Sequence, residues 1–199
     1  MNEVEKRSYA LGCDIGNNLK TMGVAIEKDA FAQGVVDAIK GSIALSIEEL
    51  NEQFALINKE IEETQKQLAN AEKEAGVKFL QENKTKEGVV ETKSGLQYKV
   101  VTMGDGAKPS ATDTVKVHYH GTLIDGTVFD SSVQRGEAIE FPLNRVIKGW
   151  TEGLQLMPIG SKFIFYIPSE LAYGEASPSP LIKPNSTLIF EVELLDIRK

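Results

Sequence analysis

The spacing of apolar residues changes near residue 88, from a period close to 3.6 to a period close to 2. A period of 3.6 is typical of a helix with one buried face, and a period of 2 is typical of a strand. The sequence therefore predicts three regions: a helical module over residues 1–45, a long connecting helix over residues 46–87, and a sheet-forming domain over residues 88–199.

Residues 1–45 are predicted to form two short helices, the second beginning at Asp29 as N-cap and ending at Gly41 as C-cap. Two helices of this length cannot enclose a core, so they need a partner. The partner is either a second copy of the chain, which would make this a dimerisation module, or the C-terminal domain. Cys13 falls inside the module, as a buried thiol or as half of an intersubunit disulfide.

The long helix is predicted to begin with a capping box formed by Ser46 and Glu49. From there to Asn83 there is no proline, and Gly76 is the single glycine. At 1.5 Å per residue the helix would be roughly 55 Å long. Its apolar stripe is strongest in the first half, which is expected to pack on the helical hairpin or on a second chain. The second half is expected to be a solvent-exposed stalk.

Residues 88–199 alternate in hydrophobicity and turn at Asp125-Gly126, a dipeptide typical of a hairpin. On one predicted strand, Val115, Val117 and Tyr119 share one face. Further strands are expected over 96–100, 139–141, 162–167 and 187–195, and one short helix over 146–154. The predicted class is α+β: a helical module, a long helix, and a bent antiparallel sheet wrapped around a short helix.

Composition excludes several functions. The formal net charge of -7 argues against nucleic-acid binding, which needs a basic face. No stretch approaches the ~18–20 consecutive apolar residues of a membrane span. A single cysteine excludes an intramolecular disulfide. The N-terminus lacks the pattern of a signal peptide, which predicts a cytoplasmic protein for the chain as given, or a periplasmic or cell-surface one if Met1 replaces a removed signal.

Few residues suggest covalent or metal chemistry. Ser131 and Ser132 follow Asp130, but no histidine is expected beside them, and no nucleophile elbow is present. His118 and His120 share one side of a strand and could hold a metal, but no third ligand is evident, so solvent-facing polar residues are the alternative. Neither a metal nor a cofactor is expected. The remaining aromatic residues could be core or pocket walls, and periodicity does not separate the two.

Four segments between residues 117 and 195 follow one another in the order VHYHGTLIDGTVFDSS, VIKGWTEGLQLMPIGSK, IPSELAYG and NSTLIFEVELL. In order and spacing they resemble the signatures of the FKBP-type peptidyl-prolyl isomerases, over about residues 89–199. The earlier segments SYALGCDIGNNL and AFAQGVVDAIKG resemble the bacterial macrophage infectivity potentiator-like subgroup. That resemblance implies a V-shaped homodimer that associates through residues 1–60.

The resemblance implies an enzyme that rotates X-Pro bonds in unfolded or folding polypeptides, holds clients as a chaperone does, and binds macrolides such as rapamycin. It implies a catalytic set made of Tyr119, Phe129, Asp130 and Tyr173. It implies a substrate-binding set made of Ile139, Phe141, Val146, Ile147, Trp150, Leu181, Ile182 and Phe190. The alternative function is a non-enzymatic chaperone or scaffold that uses the same pocket for binding only.

The sequence departs from the family pattern at two places. Ile139 stands where the family often has a second wall phenylalanine. The segment 176–184, called the flap below, carries three prolines where the family more often has glycines. Leu181 and Ile182 are expected to keep the apolar role of the flap.

Overall fold

The computed structural model describes residues 1–198, so Lys199, the last residue of the predicted isomerase domain, lies outside the described residues. Contacts divide the chain into two compact units, residues 1–67 and residues 68–199. The division falls inside a helix, about twenty residues before the boundary predicted from the sequence. No described helix is both long and apolar enough to cross a membrane.

The first unit is helical. It contains α1 (Glu3–Met22), α2 (Lys28–Lys40) and the first part of α3 (Ile47–Asn83). The predicted capping box of α3 is present, because Ser46 N–H donates to Glu49 Oε2 at 2.8 Å and Glu49 N–H donates to Ser46 Oγ at 3.1 Å.

For α2, the C-terminal end was predicted correctly and the N-terminal end was not. Gly41 ends the helix in the left-handed conformation, with φ of 71°, as expected. At the start, Asp29 is not the N-cap. Glu27 is the N-cap, because its carboxylate accepts from Asp29 N–H at 3.3 Å and from Ala30 N–H at 2.7 Å. Glutamate is a less common N-cap than aspartate, which explains the error.

The first unit has no buried core within a single chain. Glu60 Oε1 accepts from Ala25 N–H at 3.3 Å, which links α3 to the α1–α2 connection. Yet none of residues 1–67, all of which the structure describes, is buried. Large apolar side chains are exposed along it: Val4, Tyr9, Leu11, Phe31, Val35, Val36, Ile39, Ile47 and Phe54.

The described part of the second unit contains one seven-stranded antiparallel sheet. Its strands are β1 (Val89–Glu91), β2 (Gln97–Thr102), β3 (Thr114–Leu123), β4 (Val128–Ser131), β5 (Ile139–Pro142), β6 (Lys162–Ile167) and β7 (Leu188–Arg198). The order is β1-β2-β6-β7-β3-β4, and β5 also pairs with β3. Register shifts at Val100/Thr102, Lys116/Val117 and Gly121/Thr122 are places where such a sheet bends. The predicted α+β class is confirmed.

Two short helices accompany the sheet: α4 (Ser132–Arg135), which the sequence did not predict, and α5 (Lys148–Leu154), which it did. Close packing of α5 on β6 depends on two glycines. A Cβ at Gly149 would lie 2.5 Å from the Ile167 side chain, and one at Gly153 would lie 2.6 Å from the Phe165 ring. The core lies between this helix and the inner face of the sheet, where Val115, Val117 and Tyr119 are buried as predicted.

The second half of α3 belongs to this unit, so its prediction as a solvent-exposed stalk is wrong. Gly76 and Asn83 are buried. Asn83 Nδ2 donates to Gln97 Oε1 at 3.0 Å, and Gln97 Nε2 donates to the Leu80 carbonyl at 2.9 Å. The ring of Phe79 also packs here, with its centroid 6.0 Å from that of Tyr166. The contacts of Asn83 and Gly76 do not involve apolar side chains, so the apolar stripe does not reveal them.

Candidate active site

A pocket of about 620 Å³ opens where α5 meets the edge of the sheet. It is lined by Tyr119, Phe129, Asp130, Ile139, Phe141, Arg145, Val146, Ile147, Trp150, Tyr173, Pro178, Ser179, Ile182 and Phe190. These residues come from four strands, from α5 and the turn before it, and from the loop that follows Tyr173. Sites of this kind, apolar with a few polar groups, are typical of small-ligand binding.

The indole of Trp150 forms the buried floor. Its ring centroid lies 5.3 Å from Tyr119, 5.0 Å from Phe190 and 5.2 Å from Phe141. The contacts with Tyr119 and Phe190 are edge-to-face, with interplanar angles of 79° and 80°. Edge-to-face packing stabilises aromatic pairs beyond their buried area and holds the indole in one orientation.

Gly121 makes the deep wall possible. Phe129 and Phe190 meet edge-to-face with centroids 5.3 Å apart, directly over the backbone of Gly121. A Cβ at this position would lie 2.7 Å from the Phe129 ring and 2.9 Å from the Phe190 ring. The glycine of the VHYHG segment is therefore needed for the close approach of the two aromatic rings.

One polar cluster faces this apolar box. Tyr119 OH donates to Asp130 Oδ2, and the Arg135 guanidinium donates to Asp130 Oδ1 and, at 3.0 Å, to the Tyr119 oxygen. Arg135 reaches the carboxylate because Ser131 caps α4, accepting from Gln134 N–H at 3.2 Å, and α4 carries the arginine back over the strand end. The carboxylate is thus held by two donors on opposite oxygens.

This cluster fixes the protonation of its members. Burial alone would raise the pKa of Asp130, but the hydrogen bonds from Tyr119 and Arg135 and the positive charge of Arg135 lower it below its ordinary value. Burial, followed by the hydrogen bond to Asp130, raises the pKa of Tyr119. Burial also raises the pKa of Tyr173, with a smaller contribution from the Asp130 charge. At neutral pH the carboxylate is ionised and both phenols keep their protons.

Ile147 N–H and the Tyr173 hydroxyl are among the hydrogen-bond donors at the pocket that have no partner in residues 1–198. Ile147 precedes α5, and its carbonyl accepts from Trp150 N–H at 3.0 Å and Thr151 N–H at 3.1 Å. Its own N–H has no acceptor among the described residues. Tyr173 is 41% exposed, and its hydroxyl likewise has no partner in the described part of the chain.

The flap lines one side of the pocket. Ile182 is buried against it, and Ser177 Oγ donates to the Ile182 carbonyl at 2.7 Å. Pro178 and Ser179 also line the pocket. Leu181 does not line it and is 49% exposed, so the structure does not place this predicted site residue with the others.

The base of the flap is tied to α3. Asn185 N–H donates to the Gly174 carbonyl at 2.7 Å, which closes the loop, and Asn185 Nδ2 donates to the Ala69 carbonyl at 3.3 Å. Lys183 pairs with Glu72 at 3.1 Å. The helix therefore supports the loop that carries Ile182.

The expectation that no histidine lies beside the serines is wrong. His120 Nδ1 is 3.0 Å from Ser131 Oγ, and His118 Nδ1 is 3.1 Å from Ser132 Oγ. Ser132 is fully buried, and its hydroxyl accepts from Tyr119 N–H at 2.8 Å. A hydroxyl so enclosed cannot reach a substrate carbonyl, so these pairs fasten β4 to β3. In residues 1–198, no group of three or more metal-ligating side chains could hold a metal.

Every predicted site residue except Leu181 lines the pocket. The sequence did not predict Arg145, Pro178 and Ser179, which also line it, or Arg135, which contacts Asp130. Arg135 was missed because a four-residue helix gives no periodic pattern. Arg145 directly precedes Val146, a predicted site residue, and this adjacency was the available signal that Arg145 lies at the pocket.

A family model described as FKBP-type peptidyl-prolyl cis-trans isomerase matches residues 105–195, and one described as the domain amino-terminal to it matches residues 4–100. The FKBP-type 22 kDa peptidyl-prolyl cis-trans isomerase of Escherichia coli is 48% identical over 192 residues, covering 96% of this chain and 93% of that protein. Outer membrane protein MIP of Legionella longbeachae is 42% identical over 200 residues, covering 98% and 86%. The crystal structure of FkpA from Escherichia coli matches with a TM-score of 0.79 at 38% identity, covering 99% of this chain and 97% of that one.

An antiparallel sheet bent over one short helix, with an aromatic pocket at that helix, defines an FKBP-like domain, here preceded by a helical region. The chain belongs to the FKBP-type peptidyl-prolyl cis-trans isomerases, in the bacterial group with an N-terminal helical region that includes FkpA and MIP. It is an enzyme of that type, as the sequence predicted, and the binding-only alternative is set aside.

Proposed function

We propose that the pocket over Trp150 binds the proline of X-Pro segments in folding polypeptides and catalyses rotation of the preceding peptide bond. The observation that supports this most directly is an aromatic box closed on several sides, with an ionised, immobilised carboxylate and a free backbone N–H at its edge. Its lining is apolar enough to exclude water from a ring the size of proline.

The chemistry of rotation suits such a site. The planar amide is held by resonance, with a barrier of about 18–20 kcal/mol, and X-Pro bonds interconvert over tens of seconds or longer. In the twisted transition state this resonance is lost, and the amide is less polar. A dry pocket therefore disfavours the planar ground state relative to the twisted state, and its shape selects the twisted conformer. No covalent bond is made or broken.

Each predicted residue takes a role in this proposal. Trp150 is the floor under the proline ring, and the walls are Tyr119, Phe129, Ile139, Phe141, Val146, Ile182 and Phe190. Ile147 N–H grips a substrate carbonyl. Asp130 and Tyr173 supply the polar contacts. Leu181, exposed on the flap, contacts substrate residues outside the pocket.

The test is an NMR exchange measurement on an X-Pro peptide with the full chain, with and without rapamycin. Exchange is expected to be accelerated by the enzyme and returned to the uncatalysed rate by saturating rapamycin. Asp130→Ala should lower kcat/KM roughly tenfold, because it leaves Arg135 and the Tyr119 hydroxyl without their shared acceptor.

The matched control is Asp125→Ala, which removes an exposed carboxylate of the same hairpin that accepts from Thr127 N–H at 2.9 Å and does not line the pocket. This variant should keep full activity. Acceleration that persists under saturating rapamycin, or full activity of the Asp130 variant, would contradict the assignment of the site.

We also propose that the chain forms a homodimer through residues 1–60. The support is the absence of any buried residue in residues 1–67, combined with the row of exposed apolar side chains on α1, α2 and early α3. Such a surface is unusual for a monomer and is typical of an interaction site. The V shape implied by the resemblance is part of this proposal, and small-angle X-ray scattering of the dimer tests it.

A dimer has two pockets, and we propose that it holds one unfolded chain at two points. The second contact then forms within an existing complex, at an effective concentration set by the separation of the pockets. This gives the dimer a chaperone-like function that a single pocket lacks.

A further inference from the structure

The charges around the pocket do not balance. Two charged residues line it, Asp130 and Arg145. Asp130 is neutralised where it stands, because Arg135 donates to it directly. The lining therefore carries one cation whose charge is not compensated by its surroundings.

Arg145 differs in this respect from the two other arginines of the second unit, Arg135 and Arg198. Arg135 pairs with Asp130, and Arg198 pairs with Glu140 at 2.7 Å. Arg145 makes no ion pair or side-chain hydrogen bond with any residue from 1 to 198, and it is exposed at the rim. It is the last residue of the 3₁₀ turn Leu143–Arg145 and lies two positions before Ile147, whose N–H is free.

We propose that Arg145 is a specificity-determining residue that favours substrates with an acidic side chain next to the proline. This inference rests on the proposed role of the pocket in binding X-Pro segments. A planar guanidinium can donate two parallel hydrogen bonds to a carboxylate, a geometry that an ammonium lacks. When the proline lies on Trp150 and a neighbouring carbonyl is bound at Ile147, the flanking side chains of the substrate lie at the rim that Arg145 occupies.

Because the molecule has a negative net charge, the attraction of an acidic substrate to Arg145 acts only at short range. The chain carries a formal charge of -7, so it repels acidic peptides at long range. Attraction to Arg145 must act at contact, and it weakens as salt shortens the Debye length from about 10 Å at 0.1 M to about 3 Å at 1 M. A preference that arises at Arg145 will therefore decrease when salt is added.

The experiment measures kcat/KM of the full-length protein for two peptide series by NMR exchange. In one series Glu, Gln or Lys directly precedes proline, and in the other it directly follows. In at least one series the Glu peptide should exceed its Gln counterpart roughly two- to fivefold at 0.05 M salt, the range for a partly exposed ion pair. Arg145→Gln should bring the Glu-to-Gln ratio close to one, and Arg145→Glu should invert the order so that Lys is preferred.

Lys148→Gln is the matched control. Lys148 is also exposed and without an ion pair among the described residues, and it lies three positions after Arg145 but does not line the pocket. This variant should keep the wild-type ratio. An inversion of preference in Arg145→Glu is a result that a purely structural role of Arg145 would not produce.

Two outcomes overturn the inference: a Glu-to-Gln ratio near one in both series with the wild-type protein, or a ratio unchanged in Arg145→Gln. Catalysis of the Gln peptides distinguishes these failures from a failure of the proposed pocket. If the Gln peptides are accelerated and the ratio is one, the pocket stands and the acidic preference falls. If no peptide is accelerated, both proposals fall.

Discussion

At the scale of single residues, the pocket keeps its polar groups in fixed protonation states. Asp130 is held by Tyr119 and Arg135, and its pKa is lowered, so it is poorly suited to take up a proton during turnover. The pKa values of Tyr119 and Tyr173 are raised, so neither phenol gives up its proton easily. These directions suit a reaction in which no proton is transferred, and they agree with the proposed role of Asp130 as a positioning group.

This arrangement predicts a flat pH profile. The carboxylate of Asp130 stays ionised above its ordinary pKa of about 4, and both tyrosines stay protonated below their ordinary pKa of about 10. We therefore expect kcat/KM for an X-Pro peptide lacking ionisable side chains to be constant between about pH 5.5 and pH 9. NMR exchange over this range is the measurement, and a bell-shaped profile would show that a proton is transferred.

The same shift has a consequence for stability with a definite sign. Because the pKa of Asp130 is lower in the folded protein, its contribution to stability is fully present above the unfolded value of about 4. That contribution is lost as pH falls through the folded value. Asp130→Asn should accordingly flatten the acid side of the stability curve.

The sequence was sufficient where several residues together match a family motif, whereas residue type and periodicity alone did not separate core from pocket. It predicted Trp150, Tyr119 and Phe129 as pocket residues through the family resemblance, and all three line the pocket. It could not predict Arg135, because the helix that carries this arginine has four residues and no periodicity. It misplaced Leu181, because an apolar residue on an irregular loop carries no signal for the side on which it lies.

At the scale of elements, α3 has two halves with different surroundings. In residues 1–67 its side chains stay exposed or half-buried, whereas later residues contact the flap base and β2. The sequence predicted the start of the helix to within one residue, whereas its predicted end at residue 87 lies beyond the observed end at Asn83. It missed the role of the second half because the contacts through Gly76, Asn83 and backbone carbonyls, which add to the ring contact of Phe79 with Tyr166, do not require apolar side chains.

Gly76 gives the sharpest test of this contact. A Cβ there would lie 2.3 Å from Thr187 Oγ1 and 3.2 Å from Thr187 Cβ. In an open helix Gly→Ala stabilises by up to about 1 kcal/mol, but overpacking here should outweigh this and cost about 1–3 kcal/mol. Urea unfolding of the full chain measures the loss.

The double variant Gly76→Ala/Thr187→Ala serves as the control. Removing the hydroxyl and methyl of Thr187 makes room for the new methyl, so the double variant should lose less than the sum of the two single losses. Additive losses, or stabilisation by Gly76→Ala alone, would show that α3 does not pack on Thr187 in solution.

At the scale of the whole molecule, one of the two units has a hydrophobic core within a single chain and the other has none. Residues 68–198 enclose a core of buried aliphatic and aromatic side chains. Residues 1–67 enclose none. The unit without a core is the one proposed above to associate with a second copy, so catalysis and assembly are expected to separate between the two parts of the chain.

This separation predicts that loss of the dimer lowers the rate of refolding of protein substrates but not the rate of isomerisation of short peptides. The full chain should have twice the mass of 21.8 kDa by analytical ultracentrifugation, and Val36→Asp, which charges an apolar side chain of α2, should shift it towards the monomer. Val36→Asp should keep its rate on short X-Pro peptides but refold a proline-limited protein several-fold more slowly, because two-point binding is lost.

The matched control is Gln53→Glu, which adds a charge at an exposed polar position of α3. It should remain dimeric and refold protein substrates at the wild-type rate. A monomeric Val36→Asp that refolds proteins as fast as the wild type would remove the reason to connect assembly with client holding.

The glycine beneath the two phenylalanines restricts how the pocket can diverge during evolution. Any side chain at Gly121 would displace both Phe129 and Phe190, so natural variation in pocket size has to arise elsewhere. Ile139 and the proline-rich flap, the two places where this sequence departs from its family, also line the pocket but are not among the residues that meet over Gly121. Selection for new clients can therefore change the rim while the deep wall stays the same.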